Sequence, residues 1–536
     1  MVNRDPMRFR KSEVRQRPSS EDQGSAMPPL PKPKSAREFA YCILDEHKQT
    51  GEFVSDLLED RVDRAQSSFL TKPPLAGFFG KSKPEGAKPQ DAESTGAALL
   101  SKLDRRFVTE LANGVVRRQV TLDAILRAYV MRPRQDVHPR LWLLLQLGVY
   151  QLVMMTGVPA HAAVGETVEL GHFINEPAWC SFTNGVLRTI GRDMEANPGF
   201  AFVPDIDLVP IQPHRDTEGC HGAKVVYRRL GKTIFQDPVL EPRLYIAEAF
   251  CLPTWMLSRW STKFSTEELF KLGEWFSCRH PLTLRVNRLR TTRDELLARF
   301  EDVLIGEASG GFGPGHRSDS IWYDGRVRVV DLPGFVDGHF TVQDETAMSA
   351  SELLAPQPGE TVLDLCAAPG TKSTHLAELM NNEGRIFAAD VDFKRLQRVT
   401  DNATRLGHTI IAPVTVPDNS SNLPQGPFDA ILIDAPCSNT GVMGKRPEVR
   451  NRLHSKDIYQ LAAIQLRLLR AASEKLKSGG RLVYSTCSIE TEENSAVVRE
   501  FLATAPSFEL IMTQEFIPGR PSDGGFQALL RKHTGR

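Results

Sequence analysis

The chain has no net charge: 66 Lys and Arg are matched by 66 Asp and Glu across 536 residues. Global charge therefore supplies no pull toward nucleic acid or an acidic membrane surface, and any RNA contact must come from a local basic patch. Cysteine is sparse, eight residues with no C-x-x-C pair. That excludes a disulfide framework or a zinc ribbon and points to a reducing compartment. No apolar run approaches the roughly 18 residues that a membrane helix needs, and the first residues lack a signal-peptide core. The expectation is a cytoplasmic protein, monomeric, with no membrane or metal partner.

What is present is apolar material for real cores, 41% of residues, in a length that suits three or four domains. The first chemistry lies in Thr361 to Met380, TVLDLCAAPGTKSTHLAELM. An unbroken apolar strand meets an Ala-Pro-Gly turn, and a helix is expected from about Ser373, so that backbone amides aim at whatever lies above the turn. A second strand, Arg385 to Ala389, closes on Asp390, twenty positions after Gly370 (390 − 370). A carboxylate at the carboxyl end of the second strand of a βαβ unit is placed to accept from both hydroxyls of a ribose. The loop has neither G-x-G-x-x-G nor G-K-S/T, which argues against a dinucleotide or a triphosphate. S-adenosylmethionine, with a ribose but no phosphate, fits better.

Two further buried strands, FDAILIDAPCS (Phe428 to Ser438) and RLVYSTCS (Arg481 to Ser488), each deliver a thiol just past the carboxyl end. In a doubly wound sheet ligands sit at that edge, so Cys437 and Cys487 should face the cofactor's crevice. The motifs DLCAAPGTKS, DAPCSNTGVMGKRPEVR and YSTCSIETEEN resemble the signatures of the Sun family of RNA 5-methylcytosine methyltransferases, whose members carry both a Pro-Cys and a Thr-Cys motif. The likeness extends upstream through FTVQDETAMSASELL, and the N-terminal third resembles a NusB-like helical domain. The combination is similar to the members that act on small-subunit (16S) ribosomal RNA. It implies a multidomain fold: an N-terminal all-α NusB-like bundle, a small α/β RNA-binding module and a C-terminal α/β Rossmann-like class I methyltransferase domain.

The resemblance also implies roles. Carbon 5 of cytosine is a poor nucleophile. A thiolate added at carbon 6 makes it enamine-like and able to take a sulfonium methyl group, and loss of the carbon 5 proton then expels the thiol. In the family the Thr-Cys cysteine attacks and the Pro-Cys cysteine assists release, which implies Cys487 as nucleophile and Cys437 as helper. Asp434 is implied at the pyrimidine N3 and amino group, with Lys372 as a second contact to the base. Lys372 is also a candidate for activating the thiol, since a free thiol is only a few per cent ionised at neutral pH. For the cofactor, Cys366, Ala367, Ala368, Pro369, Gly370, Thr371 and Lys372 are implied around the methionine portion, Asp390 at the ribose, and Asp434 at the edge of the same site. A third acidic contact usually follows the third strand; in VTVPDNSSNLP, Asp418 stands a few residues out of register for it. Asn439 departs from the family, which usually has a small residue in the Pro-Cys-Ser loop.

In chain order, residues 1–34 are rich in Arg, Pro and Ser without apolar period and read as a solvated tail. Helical periodicity runs through 35–199, interrupted by a polar insertion at about 65–96. Within it, Arg105, Arg106, Arg117 and Arg118 offer either an RNA-facing strip or a solvated helix face, and His161 reads as packed at a helix start. Residues 200–240 read as a linker; its His214, Cys220 and His221 lack a fourth metal ligand. In 241–345, helix FCLPTWMLSRWSTKF, strand PLTLRVNRL, helix RDELLARFE and strand IWYDGRVRVVDLPGF suggest the small module. There the family likeness places Arg285 and Asn287 near RNA, although a buried Asn can equally cap a turn. From 346 onward strand and helix alternate, with helices at Lys394 to Leu406 and Asp457 to Lys477 and a closing antiparallel pair, as a mostly parallel sheet requires. Lys445, Arg446 and Arg450 are placed for phosphates or form a solvated run. Transfer RNA as substrate is not separated by the catalytic motifs. A non-catalytic RNA-binding assembly factor is the rival of another class, and it has no use for two convergent thiols.

Overall fold

The computed structural model describes residues 27–52, 54–58, 61, 100–196, 199–200, 204–211, 225–278, 280–304, 311–325, 327–417, 422–519 and 522–534. The polar insertion, the His214–His221 segment and most of the tail lie outside them, as does Asp418. Among the described residues no helix is long and apolar enough to cross a membrane.

The N-terminal bundle is built from helices Ala36–Thr50, Lys102–Arg117, Gln119–Tyr129, Pro139–Val149, Ala160–Phe173 and Ala178–Asp193. Two of them begin with reciprocal capping boxes, Ser35 with Glu38 and Ser101 with Asp104, so their starts were written locally. The 139–149 helix is buried on every side from Arg140 to Val149, which makes it the central rod of the bundle. His161 lies in the first turn of its helix but is exposed, not packed.

The stretch expected to be a linker contains a small antiparallel sheet of strands β1 (Gly199–Phe200), β2 (Leu208–Ile211) and β3 (Val226–Arg229), in the order β1-β3-β2. Strands of two to four residues are too short to show a period, so sequence alone missed them. Helices Pro242–Ala249, Thr254–Trp260 and Thr266–Ser277 follow. Their Ile246, Met256, Trp260 and Phe276 share one apolar core with the bundle, a core that also takes in Met443 and Ile489 of the C-terminal domain.

Strands β4 (Leu282–Val286), β5 (Phe312–Pro314), β6 (Ser320–Tyr323) and β7 (Phe340–Val342) form a second antiparallel sheet, in the order β5-β6-β4-β7. Helix Arg293–Leu304 covers it, with a separate core of Leu284, Phe300, Ile321 and Phe340. Only the start of IWYDGRVRVVDLPGF is strand. The chain turns after Tyr323, whose hydroxyl donates to Val327 O at 2.8 Å, and continues as a single helical turn over Val329–Asp331.

Of the two roles open to Arg285 and Asn287, contact with RNA or a part in the structure, the second is found. The Arg285 side chain is 0% exposed and its guanidinium meets Glu378 at 2.7 Å, Thr374 Oγ1 at 3.0 Å, Thr371 O at 2.7 Å and Gln343. Asn287 donates to Gly338 O at 2.9 Å and Leu406 O at 3.0 Å. Both tie the small module to the C-terminal domain. Gly338 completes that seam: its φ is +70°, and a Cβ there would lie 2.1 Å from Arg405 O.

The C-terminal domain opens with helix Glu345–Leu354 and continues as strands β8 (Thr361–Leu365), β9 (Arg385–Asp390), β10 (Ile411–Thr415), β11 (Phe428–Asp434), β12 (Leu476–Thr486), β13 (Phe508–Phe516) and β14 (Gly525–Lys532). Their order is β10-β9-β8-β11-β12-β14-β13, parallel through β12 and antiparallel across β12/β14 and β14/β13. The expected mostly parallel sheet with a closing antiparallel pair is therefore found. Some boundaries differ. Helix Ser455–Glu474 stops short of Lys477 because Leu476 already pairs with Phe428 as the start of β12.

Candidate active site

Of the five parallel strands that end on one edge, β8, β9, β11 and β12 contribute to a single crevice. After β8 the chain enters Cys366–Gly370, with Cys366 at φ +64° and Gly370 at φ +96°. Gly370 is required twice over, since the left-handed backbone favours it and a Cβ would sit 3.0 Å from Val399 Cα. Gly370 caps the following helix, Thr371–Leu379, which thus starts two residues earlier than the sequence suggested. Helix Phe393–Leu406 holds the loop from behind, with Arg395 donating to Ala368 O at 2.6 Å and Asn402 to Pro369 O at 3.2 Å.

The amides of this loop are less free than expected. Ala367 N donates to Ala389 O at 3.0 Å, Ala368 N to Asp390 Oδ2 at 3.1 Å and Gly370 N to Ala367 O at 2.7 Å. Asp390 is 3% exposed at the end of β9 and also accepts from Asp392 N at 3.0 Å. A carboxylate offers about four acceptor sites, so capacity for ribose hydroxyls remains. Beneath the loop lies Asp364, wholly buried. One oxygen accepts from Ser373 Oγ at 2.5 Å and the other has no partner; burial pushes its carboxyl up to about 7. An orphaned buried oxygen asks for a donor. The α-ammonium group of S-adenosylmethionine is such a donor, and the residues present fit that cofactor.

The thiols face each other across the next two strand ends. Asp434 of β11 pairs with Ser485 of β12, and Ala435 N donates to Ser485 O at 2.9 Å, so the loops leave the sheet in step. They bring Cys437 Sγ to 3.2 Å from Cys487 Sγ. Asn439, at φ +60°, donates from Nδ2 to Cys437 O at 2.9 Å and accepts the Cys487 thiol on Oδ1 at 3.1 Å. The residue flagged as a departure is thus a strut between the two loops. The Cys487 contact, then burial, then the nearby Glu493 carboxylate hold Cys437 protonated well above the ordinary thiol range.

Lys372 and Asp434 meet at 2.6 Å, 11% and 36% exposed, beside the thiols. Burial opposes the Lys372 charge, but Asp434 outweighs it and Cys487 adds to it, so the ammonium is held above its usual value. The crevice therefore unites Lys372, Asp390, Asp434, Cys437 and Cys487 with the Cys366–Gly370 loop.

Three basic residues read as either RNA-facing or solvated are tied to groups of the protein instead. Lys445 lies between Asp344 at 2.7 Å and Asp523 at 2.8 Å. Arg450 is buried, with its guanidinium on the carbonyls of Arg117, Phe250 and Phe276. Arg118 is buried against Pro210 O, which breaks the expected helical strip; Arg446 stays exposed. Conversely, the sequence reading assigned no role to Glu493, which bonds both thiol loops. Its only signal was membership of YSTCSIETEEN, where a run of acids reads as a solvated face.

Comparison with known proteins bears on this crevice directly. Residues 351–531 match the family model described as 16S rRNA methyltransferase RsmB/F, residues 83–192 that of the NusB family, and residues 252–310 the ferredoxin-like domain of RsmF/B-like methyltransferases. Ribosomal RNA small subunit methyltransferase B of Shigella flexneri serotype 5b (strain 8401) is 35% identical over 433 residues, 80% of this chain and 87% of that protein. The protein of the same name from Escherichia coli O139:H28 (strain E24377A / ETEC) is 34% identical over 446 residues, 81% and 92%. Among solved structures, PH0851 aligns with a TM-score of 0.62 at 25% identity, covering 89% of this chain and 98% of that one. With such likeness over most of both chains, the protein belongs to the RsmB/F family and is an S-adenosylmethionine-dependent RNA methyltransferase.

Proposed function

We propose that this protein methylates carbon 5 of a cytosine in small-subunit ribosomal RNA through a covalent Cys487 adduct at carbon 6. The observation that carries the reading is the pair of thiols 3.2 Å apart beside the Lys372–Asp434 pair. The relatives named for small-subunit ribosomal RNA supply the substrate class.

S-adenosylmethionine supplies an electrophilic methyl group. The chain's own residues do the rest. Cys487 loses its proton to solvent and adds to carbon 6; Lys372 donates at N3, where negative charge develops, and Asp434 accepts from the amino group. Once carbon 5 carries the methyl group, its proton passes to solvent water, the C–H pair forms the carbon 5–carbon 6 double bond, and the carbon–sulfur bond breaks with its pair on Cys487. Cys437, kept as a thiol, stands within reach to return a proton to the departing sulfur. A base inside a duplex does not reach such a crevice, so the target must be unpaired or flipped out. The domain limits at 34, 199, 240 and 345 and the role of Asp418 belong to the same reading.

The test is incubation with labelled donor and RNA from cells lacking the protein, followed by mapping of 5-methylcytosine. A single small-subunit ribosomal site supports the reading; label on transfer RNA alone moves the substrate, and label at another atom of the base removes the proposed chemistry. In Cys437→Ala, methyl transfer to that site should proceed once and leave a protein–RNA adduct that survives denaturing electrophoresis. Free RNA product at the parent rate would remove Cys437 from release. Asp390→Ala should weaken cofactor binding by about 10- to 100-fold, the worth of hydrogen bonds to a charged group. Calorimetric titration with S-adenosylhomocysteine measures it, and unchanged affinity would place the ribose elsewhere.

A further inference from the structure

One buried carboxylate outside the reacting groups is bonded to both thiol-bearing loops. Glu493 is 0% exposed. Its Oε1 accepts from Ser438 N at 2.8 Å and Gln465 Nε2 at 3.1 Å, and its Oε2 from the hydroxyls of Ser438 and Ser488, the latter at 2.5 Å. Ser438 follows Cys437 and Ser488 follows Cys487, so each loop is tied one residue beyond its thiol. Gln465 also donates to Pro436 O at 2.9 Å, one residue before Cys437. Thr440 closes the ring, accepting from Ile489 N at 3.1 Å and lying 3.2 Å from Ser488 Oγ.

Burying an anion is costly unless donors surround it. Any donors would meet that need, yet three of the four here come from the two residues that adjoin the thiols. The carboxylate reaches neither sulfur through a bond of its own. It acts on where the sulfurs stand.

We infer that Glu493 is a positioning residue, a clasp that sets the separation of Cys437 and Cys487 and so aligns attack with release. The inference rests on the roles proposed above for the two thiols. Such a residue matters because a displacement of about 1 Å at a reacting group costs on the order of 100-fold in rate.

The test uses the full-length protein with Glu493→Ala and Glu493→Gln. Spacing is read first without RNA. Diamide accepts two electrons and two protons from a thiol pair as its N=N bond becomes a hydrazine, leaving a disulfide whose growth is followed by peptide mass mapping. The Cys437–Cys487 disulfide should form readily in the parent, about tenfold or more slowly in Glu493→Ala, and at an intermediate rate in Glu493→Gln, which keeps one acceptor. In methylation assays kcat should fall roughly 100-fold in Glu493→Ala while KM for donor and RNA stays within about threefold. Equal disulfide rates in parent and variant overturn the clasp, as does a parent that never joins these two thiols. Cofactor affinity falling as far as kcat also overturns it, because that marks a general structural role. Should the alanine variant fail to fold, Glu493→Gln is judged by the same criteria. A parent that methylates no RNA defeats the functional reading, while the disulfide rates still decide the clasp.

Discussion

Alanine at position 487 is expected to lower methyl transfer by at least about four orders of magnitude, the scale seen when a covalent nucleophile is deleted from a catalytic unit. Without addition at carbon 6, carbon 5 stays too electron-poor to take the methyl group. The neighbouring thiol is no substitute: with Cys487 gone, burial and the Glu493 carboxylate still oppose ionisation of Cys437. The same variant should bind S-adenosylhomocysteine within about twofold of the parent, since the half-buried Cys487 thiol makes its bonds to Cys437 and Asn439 and not to the Cys366–Gly370 loop or Asp390. Label incorporation and calorimetry together make the distinction. Incorporation above a few per cent of the parent would transfer the nucleophile's role to Cys437.

The second large effect is on stability. Arg285→Ala should cost about 3–5 kcal/mol, as breaking one side of a buried ion pair does. Arg285 and Glu378 are 0% and 1% exposed, and the variant leaves Glu378 a buried charge beside His408 at 3.4 Å. The double variant Arg285→Met with Glu378→Leu should regain most of that loss, since well-packed apolar replacements of such pairs are often neutral. Denaturant midpoints of the three proteins read this out. A loss below about 1 kcal/mol in Arg285→Ala would mean that water reaches the pair. Because Arg285 also holds Thr371 O at 2.7 Å, the single variant should weaken cofactor binding as well.

What was legible in the sequence is what is local. The strand–turn–helix of 361–380, the carboxylate closing β9 and the two thiols at strand ends are each contained in a short stretch with a clear period, and parallel-sheet topology then forces them to one edge. The basic residues could not be placed from sequence for the converse reason. Whether Arg450 faces solvent depends on carbonyls at Arg117, Phe250 and Phe276, up to 333 positions away. Arg285 and Lys445 are settled in the same way, by carboxylates at 378, 344 and 523. A guanidinium written among polar neighbours looks the same in sequence whether it meets phosphate or carbonyl. Asn439 shows the intermediate case: its position was noticed as unusual, but only the two loops brought together reveal what it spans.

The shared apolar core has a further meaning. Met443 lies six residues after Cys437 and Ile489 two after Cys487, and both are buried in the cluster that runs back through Trp260 and Phe276 to Trp142 of the bundle. The N-terminal helices are thus no tethered adaptor swinging beside an independent catalyst. They are a fixed frame, held at one set distance from the two sulfurs by a core common to both. A change that loosens that core in the bundle is therefore felt at both thiol loops without touching either.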